Sequence, residues 1–204
     1  MLTRMQSNIK IAKIARMNPS QEVSKLELEA EWNEIQAAQK DTTRFSSLYK
    51  KYYEDVFRFV YQRTADETLT AELCSIVFIR ALENIKKYEN RGVPFSAWLF
   101  RIAMNEVASH FRSKKKTRIV SIESSQLPTL YEESSDQNIF TEQARQELLS
   151  ALDQLKPKDL NMIELRFFEK RSFKEIAAIL EITEANAKMR TYRAVDRLQK
   201  KMKT

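Results

Sequence analysis

A single glycine in 204 residues is the tightest constraint on what this chain can fold into. Tight hairpins, bulges and phosphate-cradling loops need residues that accept positive φ without strain, and glycine is the usual choice. The chain also has four prolines, many helix formers and few regularly alternating apolar runs. It is therefore expected to be all-α. One cysteine excludes an internal disulfide, and one histidine leaves little scope for a zinc site; no metal and no cofactor are expected. No apolar run reaches the length of a bilayer crossing. The basic start, MLTRMQSNIKIAKIARMNPSQ, lacks the continuous apolar core and small-residue cleavage site of a secretory signal. The expectation is a cytoplasmic protein.

The net charge of +7 suits a polyanionic partner, and its distribution along the chain says more than its size. Residues 41–118 carry fifteen Lys or Arg against nine Asp or Glu. Between Ile119 and Gln146 the sign reverses: Arg145 alone opposes Glu123, Glu132, Glu133, Asp136 and Glu142. From Glu147 onward the balance is basic again, with thirteen cations against nine acids. Four pieces follow. Residues 1–40 form an N-terminal extension, partly disordered, with a helix around Leu26 to Gln39. Residues 41–118 make one small helical domain and residues 147–204 another. Residues 119–146, rich in Ser and acid and broken by Pro128, read as a flexible linker too polar to pack a core.

Within the last piece, Ser172 to Ala194 reads SFKEIAAILEITEANAKMRTYRA. Ser172 with Glu175 forms a capping box, and Ile176, Ala177, Ile179 and Leu180 give an apolar stripe. Thr183 can cap a second helix that carries Lys188, Arg190, Arg193 and Arg197. A short capped helix followed by a basic one is the arrangement that sets the second helix in a DNA major groove; an ordinary αα-hairpin is the alternative. At about 100° per residue, Ala187, Thr191, Ala194 and Leu198 share one narrow sector that faces the preceding helix. Met189, Tyr192, Arg193 and Asp196 are expected on the other side, flanked by Lys188 and Arg190. Met189 and Tyr192 would then meet thymine methyl groups, or pack on the linker or first domain when DNA is absent.

The first domain should hold three helices. In FSSLYKKYYEDVFRFVYQR, the residues Phe45, Leu48, Tyr49, Tyr52, Val56, Phe59 and Val60 line one face. The next, about Thr68 to Lys87, is apolar nearly all round and is expected to be buried on most sides, with Cys74 as a small core side chain. The third starts near Ser96 and ends in Arg112, Lys114, Lys115, Lys116 and Arg118. Basic and aromatic groups beside an irregular loop can hold a single strand, with bases stacked on rings and cations along the backbone. Equally, Trp98 and Phe100 can be core and the lysines a solvated helix end. No nucleophile with its base, no carboxylate pair and no metal box is visible, so an enzyme is not expected.

In their order and spacing, FSSLYKKYYEDVFRFVYQR, VFIRALENIKKY, PFSAWLFRIAMNEVASHFR and ALDQLKPKDLNMIELRFFEKRSFKEIAAILEITEANAKMRTYRA resemble the sigma-70 family of transcription initiation factors. The likeness is to the small two-domain extracytoplasmic-function group. It implies a promoter-specificity subunit whose first domain binds the clamp coiled coil of the largest subunit of core RNA polymerase and captures the −10 element. The second would be a helix-turn-helix, winged-helix-like but without a sheet, which reads the −35 duplex beside the polymerase flap. The acidic linker would pass through polymerase toward its RNA channel.

By the same resemblance, Lys87, Tyr88, Asn90, Arg91, Phe95 and Asn105 would handle the flipped base and its strand. Trp98 would support them, and Arg112, Lys114, Lys115 and Lys116 would meet phosphate. Lys188, Met189, Arg190, Tyr192, Arg193 and Arg197 would face the −35 duplex. Glu72, Ser75 and Ile76 occupy positions where the family presents Asp, Gln and Glu to polymerase, so the acid is kept and the two other polar partners are not. Glu181 stands where the family's turn has glycine, so a tighter or differently shaped turn is expected. The family also implies masking by an anti-sigma factor and a monomer when free. The alternative is a stand-alone helix-turn-helix regulator that does not join polymerase.

Overall fold

The computed structural model describes residues 24–114, 127–134 and 141–202, and among them every regular element is a helix. No helix of the described residues is long and apolar enough to cross a membrane. The chain divides into two compact units. One is built mainly of residues 24–114, and the other mainly of residues 127–134, 141–177 and 182–202.

The first unit opens with α1, Lys25–Lys40, begun by a capping box between Ser24 and Glu27. The Glu27 amide donates to Ser24 Oγ at 3.2 Å, and the Ser24 amide donates to Glu27 Oε2 at 2.8 Å, which holds the Glu27 carboxyl below its ordinary range. This helix runs a residue beyond the expected span at each end, and it is no loose extension. Glu31, Ile35 and Ala38 are buried, so the boundary expected at residue 41 falls inside the unit.

A 3-10 turn, Thr42–Arg44, leads to α2, Phe45–Thr64. Phe45, Leu48, Tyr52, Val56, Phe59 and Val60 are buried as the periodicity predicts, whereas Tyr49 is exposed. Helices α3, Glu67–Asn84, and α4, Phe95–Lys114, pack pairwise with α2. The Phe59 and Phe100 rings stack at 4.3 Å and 7° in that core. Cys74 is buried, and burial pushes its thiol up to about 12. That fits a packing role.

The expectation that α3 is buried on most sides meets an open face. Ile76, Ile79 and Leu82 are 38–56% exposed. Leu73, Cys74, Val77, Phe78 and Ala81 supply the buried face. An apolar composition establishes that the helix packs, but not that both of its faces find neighbours.

The second unit contains α5, Leu127–Ser134, and α6, Glu142–Asp153, then α7, Pro157–Ile163. A π-helical turn, Glu164–Phe168, leads to α8, Phe173–Leu180, and α9, Glu184–Met202. Here the linker reading is corrected. Leu127, Leu130 and Tyr131 are buried, and α5 packs on α6 and α9. Spacing of i, i+3, i+4 gives this polar stretch one apolar stripe, which its average composition conceals. Residues 142–146 likewise belong to α6, capped by Thr141. The remaining linker positions, 119–126 and 135–140, lie outside the described residues, as do 1–23.

Candidate nucleic-acid interface

In the second unit the local signals are present as read. The Ser172 amide donates to Glu175 Oε2 at 2.9 Å and the Glu175 amide to Ser172 Oγ at 3.2 Å. The Thr183 hydroxyl accepts from the Asn186 amide at 3.3 Å and caps α9. Between the two helices Glu181 sits at φ 53°, with the Ile182 amide donating to the Ala177 carbonyl at 3.0 Å. That six-to-one bond is a Schellman closure, in which C′ is left-handed and usually glycine. The turn therefore keeps the shape a glycine would give it, at a cost on the order of 1 kcal/mol for the Cβ.

Ala187, Thr191, Ala194 and Leu198 are buried, as the helical wheel predicts. On the outer surface, Lys188, Met189, Arg190 and Arg193 are exposed, Met189 at 51%. The Arg190 Nε donates to Asn186 Oδ1 at 2.9 Å, one turn back, which orients the guanidinium along the helix.

One expected contact with the duplex is corrected, and another carries an ion pair within its own unit. Tyr192 is buried, edge-on to Phe173 with ring centroids 6.1 Å apart. Burial raises its hydroxyl above the usual range, and that hydroxyl has no hydrogen-bond partner among the described residues. Val195 is also buried and lies between Leu198 and Tyr192 on the wheel. The covered sector is therefore wider than four small residues suggest, and a long ring at its edge reaches inward. Arg197 is held by Asp159 of α7, Nη1 to Oδ1 at 2.5 Å. It ties α9 to its own unit.

In the first unit the expected strand-binding groups gather around the segment joining α3 to α4. A 3-10 turn, Ile85–Lys87, ends α3. The loop beyond it bends at Gly92, φ 65°, whose amide donates to Asn90 Oδ1 at 2.8 Å. Here the only glycine of the chain is needed for its backbone, and the Asn90 side chain shapes the turn as well as facing outward. Lys87, Asn90 and Arg91 are exposed. Tyr88 is half-buried, with its ring 4.9 Å from Trp98, 5.1 Å from Phe95 and 6.2 Å from Trp32. Burial pushes its hydroxyl up to about 12.

Phe95 is corrected from strand contact to core: its exposure is 0%, against Tyr52, Tyr88 and Trp98. As the first residue of a helix that packs on α2 and α3, its ring points inward. Trp98 is half-buried behind the loop, so it supports the ring cluster and keeps one exposed edge. Further along α4, Asn105 and Arg112 are exposed and share the Trp98 side of the wheel. Arg101 lies on that same side and joins the set only with the structure, although its i+3 spacing from Trp98 is visible in the sequence. Lys114 closes α4; Lys115 and Lys116 lie outside the described residues.

On α3, Glu72 and Ser75 are exposed beside Ile76. The Ser75 hydroxyl donates to the Ala71 carbonyl at 2.9 Å, so it is turned into its own helix. Ile79 and Leu82 extend this face as an apolar stripe that composition assigns to the interior. No cluster of three His, Cys, Asp or Glu side chains suited to a metal ion occurs among the described residues.

Residues 48–117 match the family model for Sigma-70 region 2, and residues 145–198 that for Sigma-70, region 4. The chain is 32% identical over 151 residues to the ECF RNA polymerase sigma factor BldN of Streptomyces coelicolor. That match covers 74% of this chain and 57% of the relative, so the chain spans little more than half of its length. It is 28% identical over 152 residues to the ECF RNA polymerase sigma factor SigM of Bacillus subtilis, covering 74% and 91% of the two. Among solved structures it is similar to CnrH in complex with the cytosolic domain of CnrY, with TM-score 0.54, 21% identity and coverage of 83% and 94%. It is also similar to the sigma factor RpoE in complex with the anti-sigma factor NepR from Bartonella quintana, with TM-score 0.52, 21% identity and coverage of 78% and 97%.

Proposed function

We propose that this chain, which belongs to the sigma-70 family in its extracytoplasmic-function group and so initiates transcription at promoters, divides promoter recognition between its two units. The protein is not an enzyme: it supplies specificity to core RNA polymerase, which carries the chemistry. The second unit reads the −35 element as duplex through Lys188, Met189, Arg190 and Arg193. The first captures the −10 non-template strand with Lys87, Asn90, Arg91, Asn105 and Arg112, over the Tyr88–Trp98 ring cluster. Lys114, Lys115 and Lys116 continue the phosphate track.

The carrying observation is the two-sided α9. Its inner face is seated by Ala187, Thr191, Ala194 and Leu198. The first half of its outer face offers three cations and an exposed methionine. Arginine or lysine can pair with guanine or phosphate there, and methionine can meet a thymine methyl group.

Polymerase docking runs through Glu72, Ser75 and Ile76 against the clamp coiled coil. With Ser75 and Ile76 standing in place of the family's Gln and Glu, this face binds more through apolar area, which Ile79 and Leu82 continue. The second unit meets the flap. Two structural neighbours were solved with partner proteins, one of them an anti-sigma factor, which supports an anti-sigma factor as a regulator here too. The chain works in the cytoplasm, as a monomer until it joins polymerase.

Run-off transcription with purified core polymerase tests this reading. Defined start sites that depend on the added chain are expected. Duplex binding without initiation would instead identify a stand-alone regulator. Ile76→Asp should lower affinity for core polymerase while leaving duplex binding intact; unchanged polymerase affinity would remove this face as the docking site.

A further inference from the structure

The segment between α3 and α4 carries two local turns, the 3-10 turn Ile85–Lys87 and the Asn90–Gly92 turn. Both of its ends are also held by α1, far away in sequence. At the entry, the Gln39 side-chain amide donates to the Ile85 carbonyl at 2.9 Å and to the Tyr88 carbonyl at 2.8 Å. The Ile85 carbonyl also accepts from the Tyr88 amide at 3.0 Å, which closes the 3-10 turn, and the Tyr88 carbonyl lies just beyond that turn. The amide orientation follows from the contact itself, because its oxygen would repel both acceptors.

At the exit, Glu31 Oε2 accepts from the Phe95 amide at 2.7 Å, a donor in the first turn of α4. A carboxylate there also complements the helix dipole. Glu31 is buried, its other oxygen accepts from the Tyr52 hydroxyl, and Lys51 Nζ lies 3.6 Å away. Midway, Trp32 packs toward Tyr88, which in turn lies against Trp98. Gln39 and Glu31 are two helical turns apart, about 12 Å of rise, so one rigid helix spans the loop from entry to exit.

We infer that α1 is a brace for strand capture, with Gln39 and Glu31 as positioning residues that hold the loop bearing Lys87, Asn90 and Arg91 in its binding shape. This rests on the reading of that loop as the −10 strand contact. Neither residue touches DNA. Their effect is to spare the loop the ordering cost that a flexible segment meets on binding. The brace is specific in its chemistry: position 39 must donate twice, and position 31 must accept.

The test uses the full chain with core polymerase, at a promoter where that holoenzyme gives a mapped start. Gln39→Glu keeps the size of the side chain but replaces its donors with an acceptor. Strand capture is read as the rate of open-complex formation and as affinity for the non-template −10 oligonucleotide. Both should fall roughly tenfold, as expected when two hydrogen bonds are removed. Amide exchange in residues 86–95 should rise, while affinity for a −35 duplex fragment and for core polymerase stays at the wild-type level.

Gln39→Met removes the donors without adding charge and should give the same drop, which covers the case in which Gln39→Glu unfolds the unit. Glu31→Gln keeps the acceptor and should capture the strand normally, whereas Glu31→Ala should not. The brace is overturned if both Gln39 variants open the promoter at the wild-type rate, or if strand capture and polymerase binding fall together. If the wild-type chain starts no transcription with core polymerase, the strand-binding reading of the loop fails and the brace with it.

Discussion

The two units reach an exposed binding surface by opposite routes. In the second unit the groups proposed to face DNA lie on one continuous helix, and their presentation follows from contacts three or four residues apart: the Ser172–Glu175 box, the Thr183 cap and the Asn186–Arg190 bond. In the first unit the corresponding groups sit on a loop, and the bonds that shape it join residues 46, 49 and 64 positions apart. A helical surface is specified by its own periodicity, so changes at its outer face should alter binding without altering the fold. A braced loop borrows its shape from a distant helix, so fold and function are harder to separate there.

Phe95→Ala should break the contrast hardest. This ring is fully buried at the start of α4, and truncating it should cost about 3–5 kcal/mol of stability in the first unit. Chemical denaturation would register this, whereas a residue that only contacts DNA would leave the midpoint unmoved. Tyr192→Phe probes the same distinction in the second unit, with a smaller and opposite effect. Its hydroxyl is buried without a partner among the described residues, so removing it should leave stability unchanged or raise it by up to about 1 kcal/mol. Duplex affinity should stay at the wild-type level. A large drop in duplex affinity would return Tyr192 to the DNA surface.

The smallest effect concerns Glu31 and pH. Burial raises its carboxyl above the ordinary 4.5, against the opposing pull of the Phe95 amide and Lys51. Lys51, Glu34 and the Tyr52 hydroxyl face it from α1 and α2. The folded state therefore keeps a proton that the unfolded chain has already released. Stability from this group is full below 4.5 and is lost as pH rises through the higher folded value. Thermal melts of the wild type and Glu31→Gln between about pH 4 and pH 7 should show a shallower decline in the variant. Parallel profiles would mean that Glu31 titrates normally.

Legibility in the sequence follows the same divide. The all-α class, the buried faces of α2 and α9, the capping box and the Thr183 cap are readable because each depends on neighbours within a turn or two. What escapes depends on contacts between distant segments. Arg197 carries the charge of a DNA contact, but Asp159 lies 38 residues away and holds it. Phe95 sits in a loop-like motif, yet its position at the head of a packed helix turns it inward. Ile79 and Leu82 belong to a helix apolar enough to be read as enclosed, and only the packing leaves one side open. Leu127, Leu130 and Tyr131 lie in a stretch whose acidic average hides a single apolar stripe. In α1 the helix itself is legible, but the acceptor at Glu31 and the donor at Gln39 gain meaning only once the loop ends are brought to them.

The central claim is that the units do separable work, and Arg193→Ala tests it most directly. Affinity of the variant should be measured in parallel for a −35 duplex fragment and for core polymerase. A decrease of about 1–3 kcal/mol on duplex DNA, with polymerase affinity unchanged, is the predicted result. Equal decreases on both partners would contradict the division of labour.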